Sequence, residues 1–386
     1  MLPMLKVLIP LEEGGETRVA GSPDTVKSLS KRQLFCTVEK GAGIASGFSD
    51  ESYVSAGAQL VSPKENSVWA ETNLLLTVGP LNNAQPKLAA GALVVGQLAP
   101  HGNANLLQLL QQQQLSAISL ELLPRISRAQ SMDVLSSQAN IAGYKAVLLA
   151  AAALDRYMPM LMTAAGTVQP AKVLVIGAGV AGLQAVATAR RLGAVVKVSD
   201  VRAAAREQVE SLGARFIEPP VQGVPGEQGG YAKEATATFL EAQRQGLAEQ
   251  LGDIDMVICT AQVPGRPAPL LLTKEITGLL RPGAVVVDLA VAQGGNCELS
   301  QVGETISYNG VLVIGADRLP ASVPHHASSL YARNVAALLE VLISKSGEMK
   351  LDPEDPLLDP CLVSLEGVLR RTDLVPDWSL GKGVKP

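Results

Sequence analysis

The residues of this 386-residue chain best placed to do chemistry are three glycines and an acid. Gly177-Ala178-Gly179-Val180-Ala181-Gly182 is followed, eighteen residues on, by Asp200. In that spacing the first glycine makes a tight turn off a strand, the second lets the backbone approach a pyrophosphate, and the third lets a helix pack close to the sheet. The bound species is therefore expected to be a dinucleotide. A carboxylate at Asp200 would accept hydrogen bonds from a ribose 2′-hydroxyl and repel a 2′-phosphate, which favours NAD(H) over NADP(H). Ala178, Val180 and Val201 complete the cofactor-facing backbone. Arg202 is open to two readings, a solvated residue at the next helix start or a receiver for a 2′-phosphate.

These residues need particular elements beneath them. Val173 to Ile176 is a continuous apolar and β-branched run, the pattern of a strand buried on both faces. Leu183 to Leu192 reads as the helix whose free N–H groups would point at the phosphates, and Ala194 to Ser199 as the strand that delivers Asp200. Strands at 173–176, 195–199, 214–217, 255–259, 284–288 and 311–315, with helices between, give the doubly wound pattern. A second α/β domain precedes it. Strands at 5–9, 34–38, 74–78 and 93–98 and a proline-started helix from Ser22 make up residues 1 to about 125. Gly41-Ala-Gly43-Ile-Ala-Ser-Gly47 imitates a nucleotide loop, but its third glycine arrives one residue late and no strand ending in an acid follows at the right distance.

Between the two lies Pro124-Arg125-Ile-Ser-Arg128-Ala-Gln130-Ser-Met-Asp133, and then one Ala-rich helix over 138–157, closed by Pro159. Ser328 to Ile343 is a further long helix, and the Pro- and Asp-rich tail from Ser346 is irregular or packed on the first domain. The division expected is residues 1–135 plus 330–386 against 136–329. The segment from Pro219 to Glu234, with Gly229, Gly230 and Tyr231, is too long and glycine-rich for a simple connector. It is either an insertion or a lid.

Composition narrows the partners. With 47% hydrophobic residues, 18% charged and a net charge of −4, the chain has no basic patch for a polyanion, so nucleic acid is not expected. The four cysteines are scattered without a C-x-x-C, and His325 and His326 are adjacent, so neither a disulfide scaffold nor a metal site is indicated. No leader peptide is legible at the start, and the uncharged stretch 88–120 holds Pro100, His101 and four consecutive glutamines. It does not make a span of roughly 20 apolar residues. A cytoplasmic location is expected.

Arg125-Ile-Ser-Arg-Ala-Gln130-Ser-Met-Asp133-Val-Leu-Ser136, Asp200-Val-Arg-Ala, Gly229-Gly-Tyr231-Ala-Lys-Glu, Pro264-Gly-Arg-Pro and Asp288-Leu-Ala-Val-Ala-Gln-Gly-Gly-Asn296 together resemble the alpha subunit of the proton-translocating NAD(P) transhydrogenase. The resemblance implies two Rossmann-like doubly wound domains joined by long helices, with NAD(H) in a cleft between them. It implies direct hydride transfer from that NADH to NADP+ on a partner chain. Proton translocation would belong to a separate membrane subunit, with this chain a homodimer held peripherally at the complex. The family's nicotinamide-site residues fall at Arg125, Gln130, Asp133, Ser136 and Tyr144, with Gln130, Arg125 and Asp133 closest to the chemistry. Hydride transfer between two nicotinamides needs alignment, not an acid or base, and these side chains can hold a carboxamide and a ribose. Tyr231 and its loop match the family's closing loop, and Thr260, Ala261 and Gln262 are further nucleotide contacts. Gln262 and Arg318 depart from the family pattern.

The related alanine dehydrogenase needs a lysine, a histidine and an aspartate to handle a keto acid. At the matching places this chain offers Val78, Gln97 and Ala292, none of which transfers protons at neutral pH. An alanine dehydrogenase-like oxidoreductase and a non-catalytic NAD-binding regulatory module are the alternative readings.

Overall fold

In the computed structural model, residues 4–220, 227–228, 231–232, 236–263 and 266–374 are described. They divide into two compact units, 1–138 with 323–386, and 139–322.

The first unit is built on eight short strands: β1 (Lys6–Ile9), β2 (Phe35–Glu39), β3 (Gln59–Val61), β4 (Leu74–Leu76), β5 (Leu93–Gly96), β6 (Ser116–Ser119) and, from the tail, the strands Leu362–Leu365 and Val368–Leu369. The first six pair in parallel in the order β3-β2-β1-β4-β5-β6, and the two tail strands extend the β6 edge antiparallel. The tail, expected to be irregular or packed on the first domain, thus adds two strands to this sheet, with Leu362 and Val363 alternating into the two apolar layers of this unit. The same alternation runs through β1, where Val7 and Ile9 face one layer and Leu8 the other.

The second unit carries a hairpin of β7 (Leu161–Thr163) and β8 (Gly166–Val168), then β9 (Lys172–Ile176), β10 (Val195–Ser199), β11 (Arg215–Ile217), the short pair β12 (Glu227–Gln228) and β13 (Tyr231–Ala232), β14 (Met256–Cys259), β15 (Val285–Asp288), β16 (Thr305–Tyr308) and β17 (Val311–Gly315). Its main sheet runs β11-β10-β9-β14-β15-β17-β16, parallel except for the edge strand β16. Omitting β16 from the second and the two tail strands from the first, both sheets have the 3-2-1-4-5-6 order of a dinucleotide-binding fold. Along β9, Val173 and Val175 enter one apolar layer and Leu174 and Ile176 the other. Each such side chain contributes about 1.5–3 kcal/mol by leaving water.

Two helix boundaries differ from expectation. The long Ala-rich helix spans Val134–Ala153, four residues earlier than its sequence suggests, because Asp133 caps it. The helix expected from Ser328 begins at Pro324, where proline costs no hydrogen bond in the first turn.

Candidate functional site

The glycine loop lies at the switch point of the second sheet, where β9 has β10 on one side and β14 on the other. Gly177 takes φ +98°, in the left-handed region. A Cβ there would come within 2.7 Å of Thr260 Oγ1, and one on Gly182 within 1.8 Å of the Gly177 carbonyl oxygen. Those two glycines are required by the protein itself. Gly179 is different, since a Cβ on it would meet no atom of the described residues within 4 Å. It is also the N-cap of the helix Val180–Arg191, and among the described residues no side chain accepts from that helix's first N–H groups. A bare glycine in front of an uncapped helix start fits a phosphate, which needs both the space and the donors.

Asp200 follows β10 directly and is buried. Its Oδ2 accepts from the Ala178 N–H at 2.6 Å, so the acid at one strand end holds the loop at the next. Arg202 is not solvated. It donates through its backbone N–H and Nε to Asp200 Oδ1 at 2.8 and 2.9 Å, and through Nη2 to Oδ2 at 2.9 Å. The carboxylate expected to accept from a ribose is thus also one half of an ion pair.

Thr260, just past β14, closes the floor: its hydroxyl donates to the Ile176 and Gly177 carbonyls at 3.0 Å each. Ala261 is clamped at both ends by Asn296, whose Oδ1 accepts from the Ala261 N–H at 3.0 Å while Nδ2 donates to the Ala261 carbonyl at 2.9 Å. Asn296 is placed by buried Asp288, which accepts from the Ala290, Asn296 and Cys297 N–H groups and the Ser300 hydroxyl. Burial pushes the Asp288 carboxyl up, and those four donors oppose the shift. In the sequence the Asp288–Asn296 run marks a resemblance but does not disclose this role. An acid ending a wholly apolar strand is the one signal that points to it. Gln262 is exposed, and its amide donates to the Leu289 carbonyl at 2.7 Å, tying the loops after β14 and β15.

The remaining expected residues sit elsewhere. Arg125, Gln130, Asp133 and Ser136 belong to the first unit. Gln130 is exposed on the 3-10 segment Ser127–Met132, and its amide makes no hydrogen bond among the described residues. Asn334 donates to the Ser131 carbonyl at 2.8 Å and fixes that segment. Asp133 caps the following helix, with Oδ1 accepting from the Ser136 N–H at 2.9 Å and Oδ2 from the Ser136 hydroxyl at 2.6 Å. Tyr144 stands further along the helix, 41% exposed, in the second unit. Of the expected lid, the backbones of β12 and β13 pair antiparallel. Gly229, Gly230 and the Tyr231 side chain lie outside the described residues, as do Pro264 and Gly265.

The switch point of the first sheet, between β1 and β4, is filled from within. Glu12 accepts from the Val78 N–H at 2.6 Å, the Gly79 N–H at 3.3 Å and the Thr77 hydroxyl at 3.1 Å. A carboxylate of the chain occupies the donors that a phosphate would need. Burial raises the Glu12 carboxyl to about 7, against the pull of those donors and with a contribution from nearby Glu16. Arg18, the nearest cation, is held by Glu16 through two bonds of 2.8 Å and donates to Gln138 at 2.9 Å. The Gly41–Gly47 loop ends in the three-residue 3-10 turn Ile44–Ser46, which offers no long helix to a phosphate. No group of three or more candidate metal ligands occurs among the described residues, and none of their helices is long and apolar enough to cross a membrane.

Comparison with known proteins agrees with this geometry. The description "Alanine dehydrogenase/PNT, N-terminal domain" matches residues 8–142, and "Alanine dehydrogenase/PNT, C-terminal domain" matches residues 146–372. The chain is 42% identical over 362 residues to the first segment of the NAD(P) transhydrogenase subunit alpha of Rhodospirillum rubrum, covering 91% of this chain and 94% of that one. The crystal structure of transhydrogenase from Sinorhizobium meliloti superposes with a TM-score of 0.84 at 42% identity, over 94% of this chain and 99% of the other. An L-alanine dehydrogenase structure superposes at 0.78 with 25% identity, over 96% and 98%. A fold with the dinucleotide order in both sheets, two matching domain descriptions and near-complete coverage together establish that the chain belongs to the alanine dehydrogenase/PNT family, in which it resembles the transhydrogenase alpha subunits.

Proposed function

We propose that the chain binds NAD(H) at the switch point of its second unit and exchanges hydride with NADP(H) held by a partner chain, as the alpha component of a proton-translocating transhydrogenase. The observation that carries this is Gly179, with room for a Cβ among the described residues at an uncapped helix start, in a chain so similar to transhydrogenase alpha subunits. The nicotinamide supplies the hydride chemistry. The chain's own task is to position it. N–H groups at the start of Val180–Arg191 hold the pyrophosphate, and Asp200 with Val201 borders the adenosine ribose. Thr260, Ala261 and Gln262 form the wall towards β15. Arg125, Gln130, Asp133, Ser136 and Tyr144 orient the nicotinamide end, and Tyr231 belongs to a closing loop. With Val78, Gln97 and Ala292 where a keto-acid enzyme needs titratable groups, proton transfer to a small substrate is unsupported there.

The test is to mix NADH-loaded chain with the NADP(H)-binding chain of its complex and follow NADPH formation. Oxidation of NADH by pyruvate and ammonia, with this chain alone, would overturn the reading in favour of an alanine dehydrogenase. NADH binding without transfer to the partner would favour a regulatory module. Proton translocation and a peripheral place at a membrane would come from the partners.

The β7–β8 hairpin supports a homodimer. It stands apart from both sheets, with Met160 58% and Met162 82% exposed, and a lone two-stranded hairpin is marginal in water. Met162→Asp should convert dimer to monomer in sedimentation equilibrium; an unchanged mass would place any contact elsewhere.

A further inference from the structure

Arg318 is the feature of the second unit that the nucleotide site leaves unused. It follows β17 by three residues and takes φ +46°. Among the described residues of this unit one other non-glycine residue has positive φ, Asn309 in the turn between β16 and β17, and asparagine enters that region readily. Arginine does not, and a strained side chain at a strand exit is a pointer to function. The next residues hold the strain in place: the Ala321 N–H donates to the Arg318 carbonyl at 2.9 Å within the 3-10 turn Leu319–Ser322, and Leu319 is buried.

Register shows where this arginine emerges. Ile176, Cys259, Asp288 and Gly315 are aligned across β9, β14, β15 and β17. The loops after those four strands therefore leave the sheet in one row. At about 4.8 Å per strand, the end of β17 lies roughly 14 Å from the end of β9. Asp200 lies on the other side of that turn, after β10, so the adenosine half of a bound dinucleotide runs that way. The nicotinamide half runs over β14 and β15, and Arg318 is one strand further on. It is too far round the row to hold the pyrophosphate at the glycine loop. A second nicotinamide brought up for ring-to-ring transfer would meet the nicotinamide half of the row, beside Arg318.

We infer that Arg318 is a positioning residue for the hydride acceptor, its guanidinium receiving a phosphate group of the NADP(H) carried by the partner chain. The inference rests on the transhydrogenase reading of the nucleotide site. The Arg318 side chain is 53% exposed, with Nε donating to Asp317 Oδ2 at 3.1 Å. A guanidinium grips a phosphate through two parallel donors, a stronger contact than an exposed neighbour ion pair.

The experiment compares Arg318→Ala and Arg318→Lys with the unaltered chain in three measurements. These are the Kd for NADH by its fluorescence, the Kd for the partner chain both loaded with NADP(H) and empty, and the rate of hydride transfer. The expected result for Arg318→Ala is an unchanged NADH Kd and unchanged affinity for the empty partner. Affinity for the loaded partner should fall about tenfold, as for loss of one charged hydrogen-bonding group. Arg318→Lys should recover part of that loss. Weaker NADH binding would place Arg318 on the donor nucleotide, and equal loss with the empty partner would place it on an acidic side chain. Either result, or no change at all, overturns the inference. Failure of the unaltered chain to transfer hydride would instead sink the transhydrogenase reading.

Discussion

Asp200 and Arg202 alter what a single substitution should do. If Asp200 stood alone, Asp200→Ala would remove a repulsive charge and nothing more. Because Arg202 directs its backbone N–H and two guanidinium donors to Asp200, the substitution also takes the carboxylate partner away from a guanidinium beside the ribose pocket. Affinity for NADP(H) relative to NADH should rise by about tenfold to a hundredfold. Adding Arg202→Ala should abolish the gain, and fluorescence titration with both nucleotides decides the matter. An Asp200→Ala chain with unaltered preference would mean that neither residue reaches the ribose. Gln130 presents the opposite case, an exposed amide without an internal partner among the described residues. Gln130→Ala should slow hydride transfer by about a hundredfold, the cost of misaligned rings, with NADH affinity changed far less. Equal losses in stopped-flow transfer and in binding would reduce Gln130 to a binding contact.

The strand–loop–helix element β9 to Arg191 separates fold from function among its own glycines. Gly182→Ala puts a Cβ 1.8 Å from the Gly177 carbonyl oxygen, so the helix must move away from the sheet. A loss of about 1–3 kcal/mol in stability is expected. Gly179→Ala meets no atom of the described residues. Its stability should stay within about 0.5 kcal/mol of the unaltered protein. NADH affinity should nevertheless fall at least about tenfold, since the methyl occupies the ground reserved for phosphate. Calorimetry beside NADH titration reads both, and a stable Gly179→Ala chain with full affinity would remove the pyrophosphate from this loop. The long helix Val134–Ala153 is set at its start in the same residue-specific way, by the Asp133 side chain.

At the scale of the molecule, two sheets of one order have different fates. At the second, no described atom crowds Gly179, while the first fills its switch point with Glu12. That plug makes stability depend on pH. Burial raises the folded-state value of Glu12 from 4.5 to about 7. The folded protein therefore prefers the protonated carboxyl. Its contribution is complete below pH 4.5 and is lost as pH climbs through 7. The loss reaches up to about 3 kcal/mol. Denaturant melts of Glu12→Gln should show a difference from the unaltered protein that moves in the variant's favour between pH 5 and 8. A difference flat in pH would show that Glu12 titrates as it does in the unfolded chain.

The α/β class, the βαβ unit over 172–200 and the identity of the phosphate-loop glycines were all legible in the amino-acid order. Apolar runs, strand length and glycine spacing are local properties, and local properties survive in a one-dimensional reading. The strands Thr305–Tyr308 and the tail pair were not, for they are short, and neither were Gln59–Val61 and Ser116–Ser119, which are short and whose neighbours in the sheet lie far away in sequence. The same reason hid Glu12 beneath the Val78 and Gly79 amides and Asn296 around Ala261. Hydrogen-bond partners more than thirty residues apart leave no spacing to read. Sequence alone determined that a glycine turn follows β9 and which helix follows the turn. Tertiary structure decided that Asp200 meets Arg202 as well as the loop, and that the first unit's crevice is filled by its own carboxylate. Charge pairing and burial depend on what the fold brings within about 3 Å, and chain order does not encode that distance directly.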